Sequence, residues 1–314
     1  MAVRTFEWRD LPILLRYRHH GLFLDNASLL TRGPILVPAG AMLSSFAPAT
    51  GIFTFLHLDD HNQTAPLIGQ VAHTSNLPFA QITYLAPDTS LESKALPVLL
   101  EAMISYLGER GVFHLLTEVD ERSIAFEALR RASFAIYVRQ RIWRLSREPA
   151  ENVNAKSWRT TVDRDLIAVR SLYNNLVPGL VQQVEPPPSG RLRGLVHQQG
   201  DELLAYVELK HGPRGIWVQP FIHPDAQGVA ALLVDLLEGL PYPRSRPVYL
   251  CIRSYQSWLE STLQHLGAQA GPAQAVMVKH LAISKRVALT FALPAIEGGQ
   301  PEATAPLVRS EFEK

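Results

Sequence analysis

Residues 4–17, RTFEWRDLPILLRY, and residues 159–173, RTTVDRDLIAVRSLY, carry one pattern twice. Arg4, Thr5, Arg9, Asp10 and Leu11 recur as Arg159, Thr160, Arg164, Asp165 and Leu166, at an offset of 155 (159 − 4, 164 − 9). Working outward, residues 67–71 (LIGQV) match 203–207 (LLAYV) at 136, and Pro87 matches Pro224 at 137. Ser133-Phe134 then matches Gly267-Ala268 at 134. The offset drops once, by 155 − 136 = 19, between Tyr17 and Leu67. An ordered series of matches with one step in it means a tandem duplication, with one insertion in the first copy around Gly33 to Gly51.

Each repeat reads in the same coarse order. A short strand (3–6; 158–162) leads to a helix opened by an aspartate, Asp10 or Asp163/Asp165, a normal choice where a helix start leaves N–H groups unpaired. Two adjacent strands rich in β-formers follow, 67–73 and 80–85, then 202–210 and 215–221. A proline ends the second strand, and strongly apolar helices begin at 95–107 and 229–237. A buried strand (112–117; 248–252), an amphipathic helix (123–131; 257–266) and an alternating strand (134–145; 275–283) close the unit. This order predicts an α/β chain with mixed, mostly antiparallel sheets flanked by helices. The boundaries expected are 1–147 and 157–287 for the repeats, with a polar linker at 148–156 and a flexible tail at 288–314. The repeats are expected to pack through their sheet edges or last strands, the whole being a monomer or homodimer.

Bulk properties limit the function. With 47% hydrophobic and 19% charged residues, 314 residues hold two ordinary cores. A formal net charge of +1 argues against nucleic-acid binding through a large basic face. The start lacks the apolar core of a signal peptide, and no apolar run approaches the roughly 20 residues that span a bilayer, so a cytoplasmic protein without membrane attachment is expected. The single cysteine, Cys251, excludes an internal disulfide and reads as a buried, inert thiol in a strand. His57-Leu58-Asp59-Asp60-His61 has metal-ligand composition, but it lies between strand-like runs and continues as Asn62-Gln63-Thr64. It reads as a polar hairpin loop, and no metal is expected.

The order of elements, with its strand–proline–loop–helix centre, resembles the GNAT superfamily of N-acetyltransferases, over nearly the whole chain to about Val287 and twice. The family's loop reads Q/R-x-x-G-x-G/A, and its N–H groups hold the pyrophosphate of acetyl-CoA at a helix N-terminus. In the first repeat Ser90 stands at the Gln/Arg position and Ser93 at the glycine; Ala95 fits, Lys94 adds a positive charge, and Glu92 a negative one. In the second repeat Gly228-Val229-Ala230 fits the last three positions, Asp225 replaces Gln/Arg, and the loop after Pro224 is two residues shorter than the family's. The resemblance implies acetyl-CoA contacts from Leu85, Pro87, Ser90, Ser93, Lys94 and Ala95, or from Phe221, His223, Gln227, Gly228, Val229 and Ala230.

The resemblance further implies N-acetyl transfer to a small amine or an amino-terminal group. Many members place a tyrosine acid four residues before the Gly-Phe pair, where this chain has Leu129 and Leu263. The remaining candidates are Glu118 and Asp120, where the cleft is expected to open, and Tyr255 at the corresponding place in the second repeat. Each also reads as an ordinary strand-end residue. Arg130, Arg131, Arg139, Arg141 and Arg144 read either as a contact for an anionic group or as a solvated strand face. A non-catalytic module that senses a ligand or binds a protein is the alternative function.

Overall fold

The computed structural model describes residues 2–46, 50–58, 65–75, 77–145, 157–240 and 246–281. The first repeat comprises β1 (Ala2–Thr5), α1 (Leu11–Tyr17), β2 (Leu22–Phe23), α2 (Asn26–Arg32), α3 (Leu36–Phe46), β3 (Ile52–Leu58), β4 (Leu67–His73), β5 (Phe79–Ala86), α4 (Ala95–Gly108), β6 (His114–Asp120), α5 (Ile124–Arg131) and β7 (Ala135–Leu145). The second comprises β8 (Arg159–Thr160), α6 (Leu166–Leu176), α7 (Gly179–Val184), β9 (Gly194–Gln199), β10 (Glu202–His211), β11 (Ile216–Ile222), α8 (Val229–Gly239), β12 (Val248–Arg253), α9 (Leu259–His265) and β13 (Gln269–His280). The expected linker and tail lie outside the described residues, as do Asp59 to Thr64; His57 is a buried residue of β3. Three short strands escape the sequence pattern or extend it: β2, β9, and the start of β13 at Gln269 rather than Ala275.

The repeated residues build repeated structure. Arg4 donates to both carboxylate oxygens of Asp10 (2.6 and 2.5 Å), and Arg159 does the same to Asp165 (2.6 and 2.8 Å). Each aspartate also accepts from the backbone three residues earlier, Glu7 N at 2.8 Å and Val162 N at 2.9 Å, which ties the first strand to the first helix. At the far end of each unit Ser133 (φ 67°) and Gly267 (φ 75°) take the same left-handed turn. Phe134 N then donates to Leu129 O and Ala268 N to Leu263 O, both at 3.0 Å.

Among the described residues the strands form one sheet in the order β1-β3-β4-β5-β6-β13-β7-β12-β11-β10-β9-β8, with β2 against β5. The last strands are therefore exchanged. β13 of the second repeat lies between β6 and β7 of the first, and β7 pairs with β12 of the second. The cores follow the strands. Ala275, Met277 and Leu281 pack in the core under α4 and α5, while Trp143 and Leu145 pack in the core under α8 and α9. Residues Met1–Ala282 form one compact unit.

The opposite face of the sheet carries α1, α2 and α3 of the first repeat and α6 and α7 of the second. Here too the helices cross over: Ala27 and Leu30 of α2 pack on Trp217, Tyr249 and Cys251, and Val184 of α7 packs on Leu116 and Val278. Arg214 N donates to Thr31 O at 2.9 Å.

Candidate functional site

In each repeat two parallel strands run together for three residue pairs and then diverge. In the first, Phe79, Ala80 and Gln81 face His114, Leu115 and Leu116; in the second, Ile216, Trp217 and Val218 face Val248, Tyr249 and Leu250. The two gaps end differently.

The first gap is filled by the chain itself. Leu22 and Phe23 pair with Leu85 and Tyr84. Leu24 N donates to Thr83 O, and Leu24 O accepts from Glu118 N, both at 3.0 Å, and from Gln81 Nε2 at 2.7 Å. Asp88 N donates to His20 O at 2.8 Å. Segment 20–24 thus takes up the backbone groups that the diverging strands would otherwise leave unpaired. A Cβ on Gly21 would lie 2.5 Å from the Tyr84 ring and from Ala86, so the position admits only glycine.

The second gap has no such strand among the described residues. Ile216 N donates to Pro247 O (3.0 Å) and His223 N to Leu204 O (2.8 Å), so by alternation residues 218, 220 and 222 turn their backbones toward β12. Pro220 sits where its missing N–H leaves the β10 ladder intact. Ile222 O accepts from Gln256 Nε2 at 3.0 Å. The loop that follows ends at Gly228, in the left-handed region (φ 62°), where no side chain caps α8 and a Cβ would meet open space. In the first repeat Ser93 Oγ accepts from Ala95 N at 3.3 Å at the corresponding helix start, and Arg131 lies 3.7 Å from Glu92.

On the face shared by α2 and α7 a line of buried polar groups crosses four strands. Glu118 Oε2 accepts from Asn26 N (3.0 Å) and Nδ2 (2.7 Å); Asn26 Nδ2 also donates to Gln274 Oε1 (3.1 Å). Gln140 Nε2 donates to the same Gln274 oxygen at 3.0 Å, and Cys251 Sγ to Gln140 Oε1 at 3.2 Å. Burial, with the negative charge of Asp25 nearby, raises the Glu118 pKa. Burial also pushes the Cys251 thiol up to about 12, which makes it inert as a nucleophile.

Next to this line Arg253 Nη2 donates to Glu185 Oε1 at 3.0 Å, Tyr137 Oη donates to the same carboxylate oxygen, and Tyr173 Oη to Glu185 O at 2.7 Å. Burial keeps Tyr255 protonated by raising its pKa. Lys210 lies 4.0 Å from Glu208, whose charge raises the lysine pKa.

The candidates separate accordingly. Glu118 and Tyr255 face this cluster. Asp120 instead closes a turn, accepting from Arg122 N at 2.8 Å through its carboxylate and from Ser123 N through its carbonyl. Leu85 is bound into the filled gap with Pro87 directly after it, and Ser90, Ser93 and Lys94 form the turn before α4. Phe221 stacks on Tyr206. His223 lies 3.5 Å from Asp225, and Gln227 N donates to Gln199 Oε1 at 3.4 Å. Val229 and Ala230 form the first turn of α8. Leu129 and Leu263 are fully buried in the two cores. Two of the three arginines of β7 are engaged in ion pairs, Arg139 with Glu121 and Arg141 with Glu260, both at 2.7 Å. Glu185, Asn26, Gln140 and Gln274 escape sequence reading, because nothing local marks them as neighbours. Among the described residues no three His, Cys, Asp or Glu side chains gather as metal ligands, and no helix is long and apolar enough to cross a membrane.

No family model and no curated protein matches the chain by sequence. Solved structures do match by shape. A tandem GNAT protein from the clavulanic acid biosynthesis pathway superimposes with a TM-score of 0.52 at 14% identity, over 90% of this chain and 98% of that one. The fold is a tandem GNAT fold. A GCN5-related N-acetyltransferase from Sphaerobacter thermophilus agrees (TM-score 0.53, 11% identity, 89% of this chain and 95% of that one). Within the GNAT frame, the filled and open gaps are the two copies of one structural feature.

Proposed function

We propose that this chain is an acyl-CoA-dependent N-acetyltransferase in which the second repeat alone takes the acyl-CoA, while the first completes the acceptor side of the cleft. The observation that carries the reading is the contrast between the gaps: β2 fills the first, whereas among the described residues no strand fills the second, which lies beside an uncapped helix start at Gly228. In this reading the N–H groups at Val229 and Ala230 meet the pyrophosphate, and the diverging strands β11 and β12 hold the thioester arm. The acceptor is a small amine or an amino-terminal group. Its ammonium first loses one proton, to solvent or to a carboxylate of the shared face such as Glu118 or Glu185. The amine nitrogen then attacks the thioester carbonyl; the C–N bond forms, the C–S bond breaks, and the second nitrogen proton ends on the leaving sulfur. Tyr255, kept protonated by burial, is the candidate hydroxyl for that last transfer. The first repeat fits the non-catalytic alternative, because its gap is closed by its own chain.

The test is calorimetric titration with acetyl-CoA and CoA. Binding is expected to survive Ser93→Glu and Gly228→Asn, asparagine being tolerant of the left-handed region, and to disappear in Gly228→Glu. Loss with Ser93→Glu alone, or no binding by the folded wild type, overturns the reading.

A further inference from the structure

The chemistry of Arg253 is unfinished. Its side chain is 8% exposed, and only Nη2 has a partner, Glu185 at 3.0 Å; the buried Nε and Nη1 have none. Nε and Nη1 lie on opposite sides of the guanidinium, so each is a separate free donor able to make a charge-assisted hydrogen bond to a carboxylate. Leaving two such donors buried and unpaired is costly unless a ligand completes them. The residue ends β12 beside the open gap, in register with Gln140, on the face where the repeats meet.

The charges around it are unequal. Glu185 and Glu118 act on Arg253 or are acted on by it, Asp25 acts on Glu118, and Glu208 pairs with Lys210. Two cations, Arg253 and Lys210, thus face four carboxylates, Asp25, Glu118, Glu185 and Glu208. Lys210 keeps 56% of its side chain accessible. A cluster with unpaired guanidinium donors at one point and surplus carboxylate elsewhere complements a ligand that carries both charges.

We propose that the acceptor is an amino acid or a similar compound with both an amine and a carboxylate. Its carboxylate accepts from an unpaired donor of Arg253, Nε or Nη1, and its ammonium is drawn to the surrounding carboxylates. A phosphate ester fits less well, because a dianion would meet four carboxylates with only the unpaired donors of one guanidinium to balance it. The assignment rests on the reading of the second repeat as the acyl-transfer site, and it names the acceptor of that site.

The experiment measures binding to the full chain by calorimetry without acyl-CoA, so it is independent of catalysis. Matched probes are titrated: L-lysine against cadaverine, L-phenylalanine against phenethylamine, L-serine against ethanolamine, and phosphoethanolamine. At least one amino acid is expected to bind about tenfold or more tightly than its decarboxylated partner. Arg253→Gln removes that preference, and Arg253→Lys, which keeps the charge but loses the fixed guanidinium donors, recovers only part of it. Should Arg253→Gln fail to fold, Arg253→Lys and the wild-type preference decide. The proposal is overturned if no amino acid binds, if the carboxylate makes no difference, if the preference survives Arg253→Gln, or if phosphoethanolamine binds best. Failure of acetyl-CoA titration with success here would instead break the transferase reading and leave an amino-acid site.

Discussion

The two gaps began as one feature and now differ in a single strand. In the first repeat, His20 to Leu24 turn back between β5 and β6 and satisfy both walls. In the second, α6 ends at Leu176 and the chain passes through extended Val177 into α7, and among the described residues the strands β11 and β12 diverge without a third. The lesson is that duplicating a fold does not duplicate its site. A parallel pair that splays must give its backbone groups some partner. One copy solves the problem with its own chain; under the proposed function the other leaves it to the acyl-CoA.

The largest effect should come from separating the copies. Both neighbours of β7 belong to the second repeat, and both neighbours of β13 belong to the first. Each exchanged strand also carries core residues for its host, Met277 and Leu281 in one direction, Trp143 and Leu145 in the other. Full burial of such side chains stabilises by about 2 kcal/mol each. Residues 1–147 expressed alone are therefore expected to give no monomer that melts cooperatively by circular dichroism. A well-folded monomer would mean that β7 can close its own sheet, and the copies would then be independent in a way that the strand order denies.

Second in size is the plug in the first gap. Gly21→Ala forces a methyl group against Tyr84 and Ala86 and is expected to cost about 2 kcal/mol in urea denaturation. Gly179→Ala, at the start of α7 where a Cβ meets nothing, should change stability by less than about 0.5 kcal/mol. If Gly21→Ala were equally silent, the segment would be a loose cover rather than a structural strand, and the contrast between the gaps would soften.

What the sequence could tell follows the range of the interactions. Asp10 and Asp165 were legible because their partners, Arg4 and Arg159, lie six residues away in a repeated string. The helices and the long strands were legible through periodicity. Strand exchange was not: alternation in β7 tells which side chains face the core but not which strand lies alongside. β2 has two residues, too few to alternate. Arg253 stood in plain view at a strand end. Its significance depends on Glu185, 68 positions away and brought close by α7, and on donors that only the packed structure reveals as unpartnered.

The smallest effect tests how equal the copies remain where they are most alike. At Asp10 burial alone would raise the carboxyl pKa, but the hydrogen bonds from Arg4 and Glu7 N outweigh it and the pKa falls. At Asp165 the Arg159 hydrogen bond is the leading cause, and the pKa falls too. A carboxylate with a depressed folded pKa contributes its full stability above its ordinary value, where both states are ionised. As pH drops below that value the unfolded chain takes up the proton first, and the contribution drains away until the folded pair also protonates. Asp10→Asn and Asp165→Asn are each expected to cost about 1–2 kcal/mol at pH 7, with less at pH 3. The double variant should sum the two, because the sites share no partner. Unequal costs, read from urea midpoints at both pH values, would show that the copies have drifted apart in energy even where the hydrogen bonds still coincide.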